Sequence, residues 1–432
     1  MTTKLNVIPR QENNRMRGLI LSGRAGIGKT SALMALVSDG EEFVRIPMAS
    51  RSAEDFGVYP VPDKKFKRDA EGKRLKDADG EDVSFWTMAQ PLIESQIIPL
   101  LKENIQGGYG VLLLDDVTLA DPRLQSGLLE LVQFGRIGDF ELGENVLVAM
   151  TGNGVGDGCS AVEWNKALLG RSMFVEYEPD FDAWLKYPCN ENLDPAVVGF
   201  LKEQSSYFAP GADDDKYSDE NGKTPSPRDW TSLGLEFAKC GGVRNYTPRA
   251  FWPTASSFVR SMCGKPAGDA FNIFATMLME YPTSEEILKD PKVWRELPEE
   301  KRNQMGCVFA IATSLRATVI RMNDNINKDH TNLQGDQARA AKEDLAKKMC
   351  YATAALMSGN REMGAFVVRD VMANQMAANL GKSEKDSTRD PFGSIIAKWV
   401  YNLKGLNDPV LTEAQFGQVI DDIKRMSASL GN

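Results

Sequence analysis

The chain has 432 residues, of which 42% are hydrophobic, so it is long enough to bury a core in each of two or three domains. No apolar run approaches the roughly 18 residues of a membrane span, and the N-terminal stretch has none that would serve as a secretory signal. The net charge of −9 excludes a globally basic surface for nucleic acid, although a local basic groove in an oligomer stays open.

Cysteine and histidine usage limits the chemistry further. The six cysteines contain no C-x-x-C pair and fit neither a zinc site nor a disulfide framework, which favours reduced thiols in a cytoplasmic protein. The one histidine, His330, lies in a polar stretch. It excludes sites with several histidine ligands and disfavours Ser-His-Asp or Cys-His catalysis.

Short apolar runs alternate with helical patterns before about residue 180. The predicted strands are residues 18–22, 42–46, 110–116, 145–151 and 172–178, and the predicted helices between them are residues 29–38, 86–105 and 123–133. This alternation predicts an α/β fold with a parallel sheet covered by helices on both faces. After residue 190 helical patterns dominate, and Thr283 with Glu286 forms a predicted capping box at a helix start.

Three charged or polar segments interrupt this pattern. Residues 63–82 hold seven basic and seven acidic residues, and Gly72 and Gly80 are turn signals, so the segment predicts an exposed loop or a short hairpin. Residues 209–223 predict an acidic loop. Residues 323–336 form a third, polar break that Gly335 interrupts, and His330 lies there in a predicted loop.

Residues 23–30, GRAGIGKT, match the phosphate-binding pattern G-x-x-x-x-G-K-[ST] between a predicted strand and a predicted helix. The glycines let backbone N–H groups turn toward phosphates, and the helix presents its N-terminal end to the same anion. Lys29 is predicted to reach the β- and γ-phosphates of ATP, and Thr30 to bind Mg²⁺. The predicted nucleotide contacts are Gly23, Ala25, Gly26, Ile27, Gly28, Lys29, Thr30 and Ser31.

Residues 111–116, VLLLDD, predict a buried strand that ends in two carboxylates. Asp115 is predicted to hold the water shell of Mg²⁺ together with Thr30, because ligands bind at the carboxyl ends of parallel strands. Asp116 follows, where many ATPases of this type have a glutamate that polarises the attacking water. Since aspartate is one methylene shorter, two interpretations stay open: Asp116 acts as the base through a shifted water, or hydrolysis is slow.

With these motifs in this order, the sequence resembles the MoxR branch of AAA+ ATPases of bacterial and phage type, most strongly from residue 17 to about 290. The resemblance implies an AAA+ nucleotide-binding core in residues 1–190, a helical lid in residues 191–300 and a helical C-terminal extension in residues 301–432. It also implies a homo-oligomeric ring, with a hexamer as the expected form.

The resemblance assigns roles to three further residues in the predicted ATPase site. Asn153, at the end of residues 125–153, resembles sensor 1, an amide that orients the attacking water. Arg171 stands where the family has an arginine finger that reaches the ATP of a neighbouring subunit. Arg228, in the segment SPRDW, resembles sensor 2, and Arg249 in a second similar segment is the alternative.

The resemblance also places Phe56 and Tyr59 in the region that faces the channel of a ring. There they would grip an extended polypeptide, unless they simply pack under a loop.

The function implied by the resemblance is ATP-driven remodelling of a partner protein in the manner of MoxR-type chaperones, often with a partner that carries a von Willebrand factor A-like domain. Two alternatives stay open. Basic residues within 64–76 would suit a nucleic-acid motor, but interleaved acids argue against it. The second alternative, which the short side chain of Asp116 keeps open, is a scaffold that binds ATP and assembles but hydrolyses it very slowly. The expected location is the cytoplasm, or the host cytoplasm if the chain is phage-encoded.

Overall fold

The computed structural model describes residues 18–35, 37, 42–52, 55, 62–88, 110–137, 140–142, 146–154, 161–190, 192–211, 214–248, 250–329, 335–383 and 385–402. Phe56, Tyr59, Arg249, His330 and most of the helix predicted at 86–105 lie outside these ranges. Two compact units divide the chain. The first comprises Met1–Trp184, Gly211–Ser218 and Ser226–Arg228, and the second comprises Leu185–Pro210, Asp219–Pro225 and Asp229–Asn432.

The elements of the first unit are β1 (Gly18–Ser22), α1 (Lys29–Met34), β2 (Glu42–Pro47), β3 (Pro62–Phe66), β4 (Ser84–Met88), β5 (Gly110–Asp115), α2 (Pro122–Phe134), β6 (Arg136–Ile137), β7 (Phe140–Glu141), β8 (Val146–Gly152), α3 (Lys166–Leu169), β9 (Ser172–Glu176) and α4 (Phe181–Leu185). Five of the strands form a parallel sheet in the order β2-β5-β8-β1-β9. The sheet confirms the predicted α/β fold class.

Apolar side chains cover both faces of this sheet, which explains why its strands are nearly continuous apolar runs. On β5, Leu112 and Leu114 pack into one cluster with Leu128 of α2. The intervening Leu113 packs into a second cluster with Leu33 of α1 on the opposite face. Because side chains alternate along a strand, Asp115 continues the face that α1 covers.

A separate antiparallel ribbon, β3 with β4, follows β2 in the chain. The hairpin interpretation of residues 63–82 is confirmed, since Gly72 and Gly80 turn with φ of 83° and 84°. The prediction that a helix starts at Trp86 is wrong, because Trp86 lies in β4 opposite Lys64. The aromatic run there favours a strand, and pairing with β3 outweighs the helical spacing of the apolar residues.

The second unit is helical throughout its described part, apart from turns and short 3₁₀ segments. Its helices are α5 (Pro195–Glu203), α6 (Pro227–Lys239, whose first two residues cluster with the first unit), α7 (Ala255–Cys263), α8 (Lys265–Leu278), α9 (Ser284–Lys289), α10 (Lys292–Arg295), α11 (Glu299–Arg302), α12 (Met305–Asp329), α13 (Asp336–Met357), α14 (Arg361–Ala378) and α15 (Phe392–Asn402). The predicted capping box is confirmed at α9, where Thr283 N donates to Glu286 at 2.7 Å and Glu286 N donates to Thr283 at 3.3 Å.

Helix α12 packs against α5, so residues predicted as lid and residues predicted as extension share the second unit. Among the described helices, only α12 is long and apolar enough to cross a membrane by length and composition. Of the 18 residues in its most apolar stretch, 56% are buried inside the protein, as expected for a core helix.

The polar break predicted at residues 323–336 is wrong for its first part, because α12 continues to Asp329. The polar side chains of this turn have partners: Asn323 and Asn327 donate to one oxygen of Asp390 at 2.7 and 2.8 Å. The fully buried Lys342 donates to the other oxygen at 2.6 Å.

Burial alone would raise the pKa of Asp390, but the hydrogen bonds from Lys342, Asn327 and Asn323 outweigh it and lower the pKa. The network therefore stabilises the fold at neutral pH and loses this effect as pH falls through the lowered pKa.

Candidate nucleotide-binding site

The loop between β1 and α1 closes around the ammonium group of Lys29. This side chain is only 6% exposed, and its Nζ donates to the carbonyl oxygens of Gly23 at 2.6 Å and Arg24 at 2.7 Å. Its third bond goes to Oδ1 of Asn153 at 2.9 Å. The structure therefore brings the P-loop lysine and the predicted sensor 1 amide into direct contact. The contact is possible because β1, which precedes the loop, and β8, which precedes Asn153, are adjacent in the sheet.

Gly26 is one of the loop positions that tolerate no side chain. Its φ of 80° lies in the left-handed region, and a Cβ atom there would stand 2.6 Å from Oγ of Ser226. The backbone N–H of Arg228 donates to the carbonyl of Gly26 at 3.1 Å. The segment that carries Arg228 is therefore packed directly on the phosphate-binding loop. Arg249 lies outside the described residues, and the sensor 2 role of either arginine stays a prediction.

Asp115 collects hydrogen bonds at the end of β5, where it is 2% exposed. Its Oδ1 accepts from the hydroxyl groups of Thr30 at 2.9 Å and Thr151 at 2.5 Å. Its Oδ2 accepts from Nε of Arg45 at 2.7 Å. The acid and hydroxyl predicted to serve Mg²⁺ are thus neighbours, although the sequence pattern did not predict Thr151 or Arg45.

Asp116 leaves the strand in the left-handed conformation, with φ of 60°, and is the one described non-glycine residue with positive φ. Its backbone N–H donates to Oγ1 of Thr151 at 2.9 Å. Burial, and next the charge of Asp115, raise the pKa of its carboxyl group, while the cations Lys29, Arg228 and Arg45 act in the opposite direction. A carboxyl group with a raised pKa beside these charges is suited to accept a proton.

Arg171 does not join this cluster within its own chain. Its Nε donates to Oε1 of Gln133 at 2.7 Å, and its NH1 donates to the carbonyl oxygen of Ala167 in α3 at 2.9 Å. An arginine that acts on a neighbouring subunit needs no contact with its own nucleotide site. The role of Arg171 as a finger therefore stays a prediction.

The other predicted loop residues take ordinary places in the turn: Ala25 is exposed, Ile27 is buried and Ser31 is partly buried in α1. Several residues that support the site were not identified from the sequence.

Thr118 is one of them: its hydroxyl oxygen accepts a hydrogen bond from the backbone N–H of Asn153 at 2.7 Å and so positions the predicted sensor 1 residue. Arg45 gave one signal in the sequence, because a lone arginine interrupts the apolar strand EFVRI.

These residues fit a magnesium nucleotide. The loop backbone would receive the phosphates, and the donor set of Thr30 and Asp115 consists of oxygens, which Mg²⁺ prefers. Among the described residues no group of three potential metal-ligating side chains exists.

Comparison with known proteins gives structural likeness only. No protein-family model and no curated protein matches the chain. It is similar to a candidate ATPase from Cytophaga hutchinsonii, with 13% identity, a TM-score of 0.24, and coverage of 65% of this chain and 85% of that one. It is also similar to Cdc6p from Pyrobaculum aerophilum, with 11% identity, a TM-score of 0.30, and coverage of 95% of this chain and 89% of that one. For Drosophila ORC bound to DNA, the identity is 8% and the TM-score 0.24, with coverage of 95% of this chain and 68% of that one. Because identities and TM-scores are this low, function has to be inferred from the site.

Gly26→Ala should weaken nucleotide binding at least about tenfold, because it displaces Ser226 and the loop as well as straining the backbone. Gly80→Ala is the matched control: φ there is 84°, but nothing lies within 4 Å of the added Cβ. Titration of a fluorescent ATP analogue measures both. Wild-type affinity in Gly26→Ala would show that the loop is not the binding element.

Proposed function

We propose that the chain is an ATPase of the AAA+ class that binds ATP with Mg²⁺ and hydrolyses it to ADP and phosphate. The observation that carries the proposal is the contact of Lys29 with both the P-loop carbonyls and Asn153. It joins the phosphate-binding loop to a polar residue at the end of a neighbouring strand. Asp115 and Thr30 lie at the same edge of the sheet.

The proposed reaction is in-line attack of water on the γ-phosphorus, which forms one P–O bond and breaks the bond to the ADP oxygen. Asp116 accepts the proton of the attacking water, and Asn153 orients that water. Lys29 and Arg228 balance the charge that spreads over the γ-phosphoryl oxygens in the transition state. Mg²⁺ bound at Thr30 and Asp115 would neutralise charge on the β- and γ-phosphate oxygens.

The biological role we propose is remodelling of a partner protein by a MoxR-like ring, with six subunits as the expected number, in the cytoplasm. A client with a von Willebrand factor A-like domain is the first candidate partner. The support for this role is the order of motifs from the P-loop to Arg228. Arg171 supports the ring, since an arginine finger completes the site of a neighbour.

A nucleic-acid motor is a weaker candidate, because an acid pairs with two of the basic residues in the segment between β3 and β4. Arg74 pairs with Asp82 at 2.9 Å, and Lys76 lies 4.0 Å from the same carboxylate. Counterion release upon binding of a phosphate backbone needs unneutralised lysine and arginine. A nucleotide-locked scaffold is the other candidate, and the short side chain of Asp116 is the feature that favours it.

Mixing two inactive variants tests the ring directly. Lys29→Ala removes the loop cation but keeps the finger, and Arg171→Ala keeps the nucleotide site but lacks the finger. Arg171→Ala alone should hydrolyse ATP at least about a thousandfold more slowly than the wild type, since an arginine finger contributes this order of rate. Lys29→Ala alone should also be inactive, because it lacks the cation of the phosphate-binding loop. Steady-state turnover should reappear in the mixture, because mixed rings place an intact finger beside an intact site. Full turnover by Arg171→Ala alone would contradict a finger role.

Asp116→Asn should lower kcat about a hundredfold or more, the usual contribution of a general base, while ATP still binds. Because burial and Asp115 raise the pKa of Asp116, kcat/KM of the wild type should fall, as pH is lowered, at a pH above the ordinary aspartate range. Asp116→Glu should keep this acidic limb. Unchanged turnover in Asp116→Asn would contradict the base role, and a wild type that binds without turnover would favour the scaffold.

A further inference from the structure

Arg45 is an exposed arginine on the edge strand of the sheet that contacts the deepest carboxylate of the site. Its Nε lies 2.7 Å from Oδ2 of Asp115, and its NH2 lies 2.5 Å from the same atom. Just over half of the Arg45 side chain is exposed (54%), whereas Asp115 is almost fully buried (3%). The guanidinium therefore covers the carboxylate from the solvent side.

The register of the sheet produces this contact. Pro47 of β2 pairs with Asp115 of β5, and Arg45 stands two residues earlier on the same strand. Residues two apart on a strand share a face, and the face of Arg45 is therefore the one on which Asp115 and α1 lie. The neighbours Val44 and Ile46 point to the opposite face and are buried in the core.

All the bonds of the Asp115 carboxylate described above come from hydrogen-bond donors. Oδ1 accepts from Thr30 and Thr151, and Oδ2 accepts from the guanidinium of Arg45. If Asp115 serves the water shell of Mg²⁺, the guanidinium and the ion draw on the same negative charge. Two cations near one carboxylate repel each other, and in a partly buried site this repulsion amounts to kilocalories.

We propose that Arg45 is a positioning residue that competes with Mg²⁺ for Asp115 and thereby sets how strongly nucleotide binding depends on magnesium. The proposal rests on the proposed ATPase function. The guanidinium of Arg45 supplies part of the positive charge that a nucleotide would otherwise obtain from the metal. Binding of ATP without Mg²⁺ is then stronger, and the gain from adding Mg²⁺ is smaller, than the same site would show without Arg45.

Arg45 is the cation that the edge strand β2 contributes at the end of β5, whereas Lys29 belongs to α1 and Arg228 to the start of α6.

The test is the thermodynamic coupling between Mg²⁺ and nucleotide. The dissociation constant of a fluorescent ATP analogue is measured in EDTA and across a series of free Mg²⁺ concentrations, for the full chain carrying Arg45→Met or Arg45→Lys. Arg123→Met is the matched control, because Arg123 forms an exposed ion pair with Asp121 at 2.5 Å and is similarly exposed (58%). No hydrolysis is needed for this readout.

The ratio of dissociation constants without and with Mg²⁺ should rise about tenfold in Arg45→Met, as expected from removing a partly screened charge. Arg45→Lys should fall between Arg45→Met and the wild type, and Arg123→Met should match the wild type. An unchanged ratio in Arg45→Met, in a protein that binds nucleotide, overturns the role of Arg45 alone. Absence of nucleotide binding by the wild type overturns the ATPase proposal and this one with it.

Discussion

Two opposite charges, Lys29 and Asp115, are buried at the carboxyl edge of the parallel sheet, and the rest of the site is arranged around satisfying them. Leaving either one without partners would cost several kilocalories per mole. Lys29 is satisfied by two loop carbonyls and an amide, and Asp115 by two hydroxyls and a guanidinium. These partners come from the P-loop, from α1, from the strands β2 and β8, and from the residue that follows β8. The strand order and the site therefore depend on each other.

The same constraint explains how the proposed chemistry is distributed. The cations stand on three different elements, so a phosphate group in the loop would meet positive charge from several directions. Asp116 follows Asp115 directly but has left the strand in the left-handed backbone conformation. One acid is thus fixed by four donor atoms, and the other has the raised pKa of a proton acceptor.

Much of this arrangement could be predicted from the sequence, because it depends on local patterns. The strands of the sheet are covered on both faces, so their apolar runs stand out, and the glycines, Lys29 and Thr30 follow a fixed spacing. Asn153 and Arg228 were assigned to the site through the family resemblance, and in the structure Asn153 contacts Lys29 and the backbone of Arg228 contacts Gly26. The capping box at Thr283 was predictable for the same reason, since its two partners are three residues apart.

What could not be predicted depends on contacts between distant residues. The bond from Arg45 to Asp115 follows from the pairing of β2 with β5, which no local pattern encodes. Trp86 resembled a helix start until its partner strand was known. The polar end of α12 resembled a loop because Asp390, which accepts the bonds of Asn323 and Asn327, is far away in sequence. The packing of Ser226 on Gly26 likewise joins residues two hundred positions apart.

The most direct test of the account is a calorimetric titration of ATP into the full chain in the presence of Mg²⁺, with Lys29→Ala as the comparison. The account predicts saturable binding by the wild type, and roughly tenfold to hundredfold weaker binding by the variant, because bonds from a charged donor are lost. Equal binding by the two proteins, or no binding by the wild type, would contradict the claim that this loop is a nucleotide site.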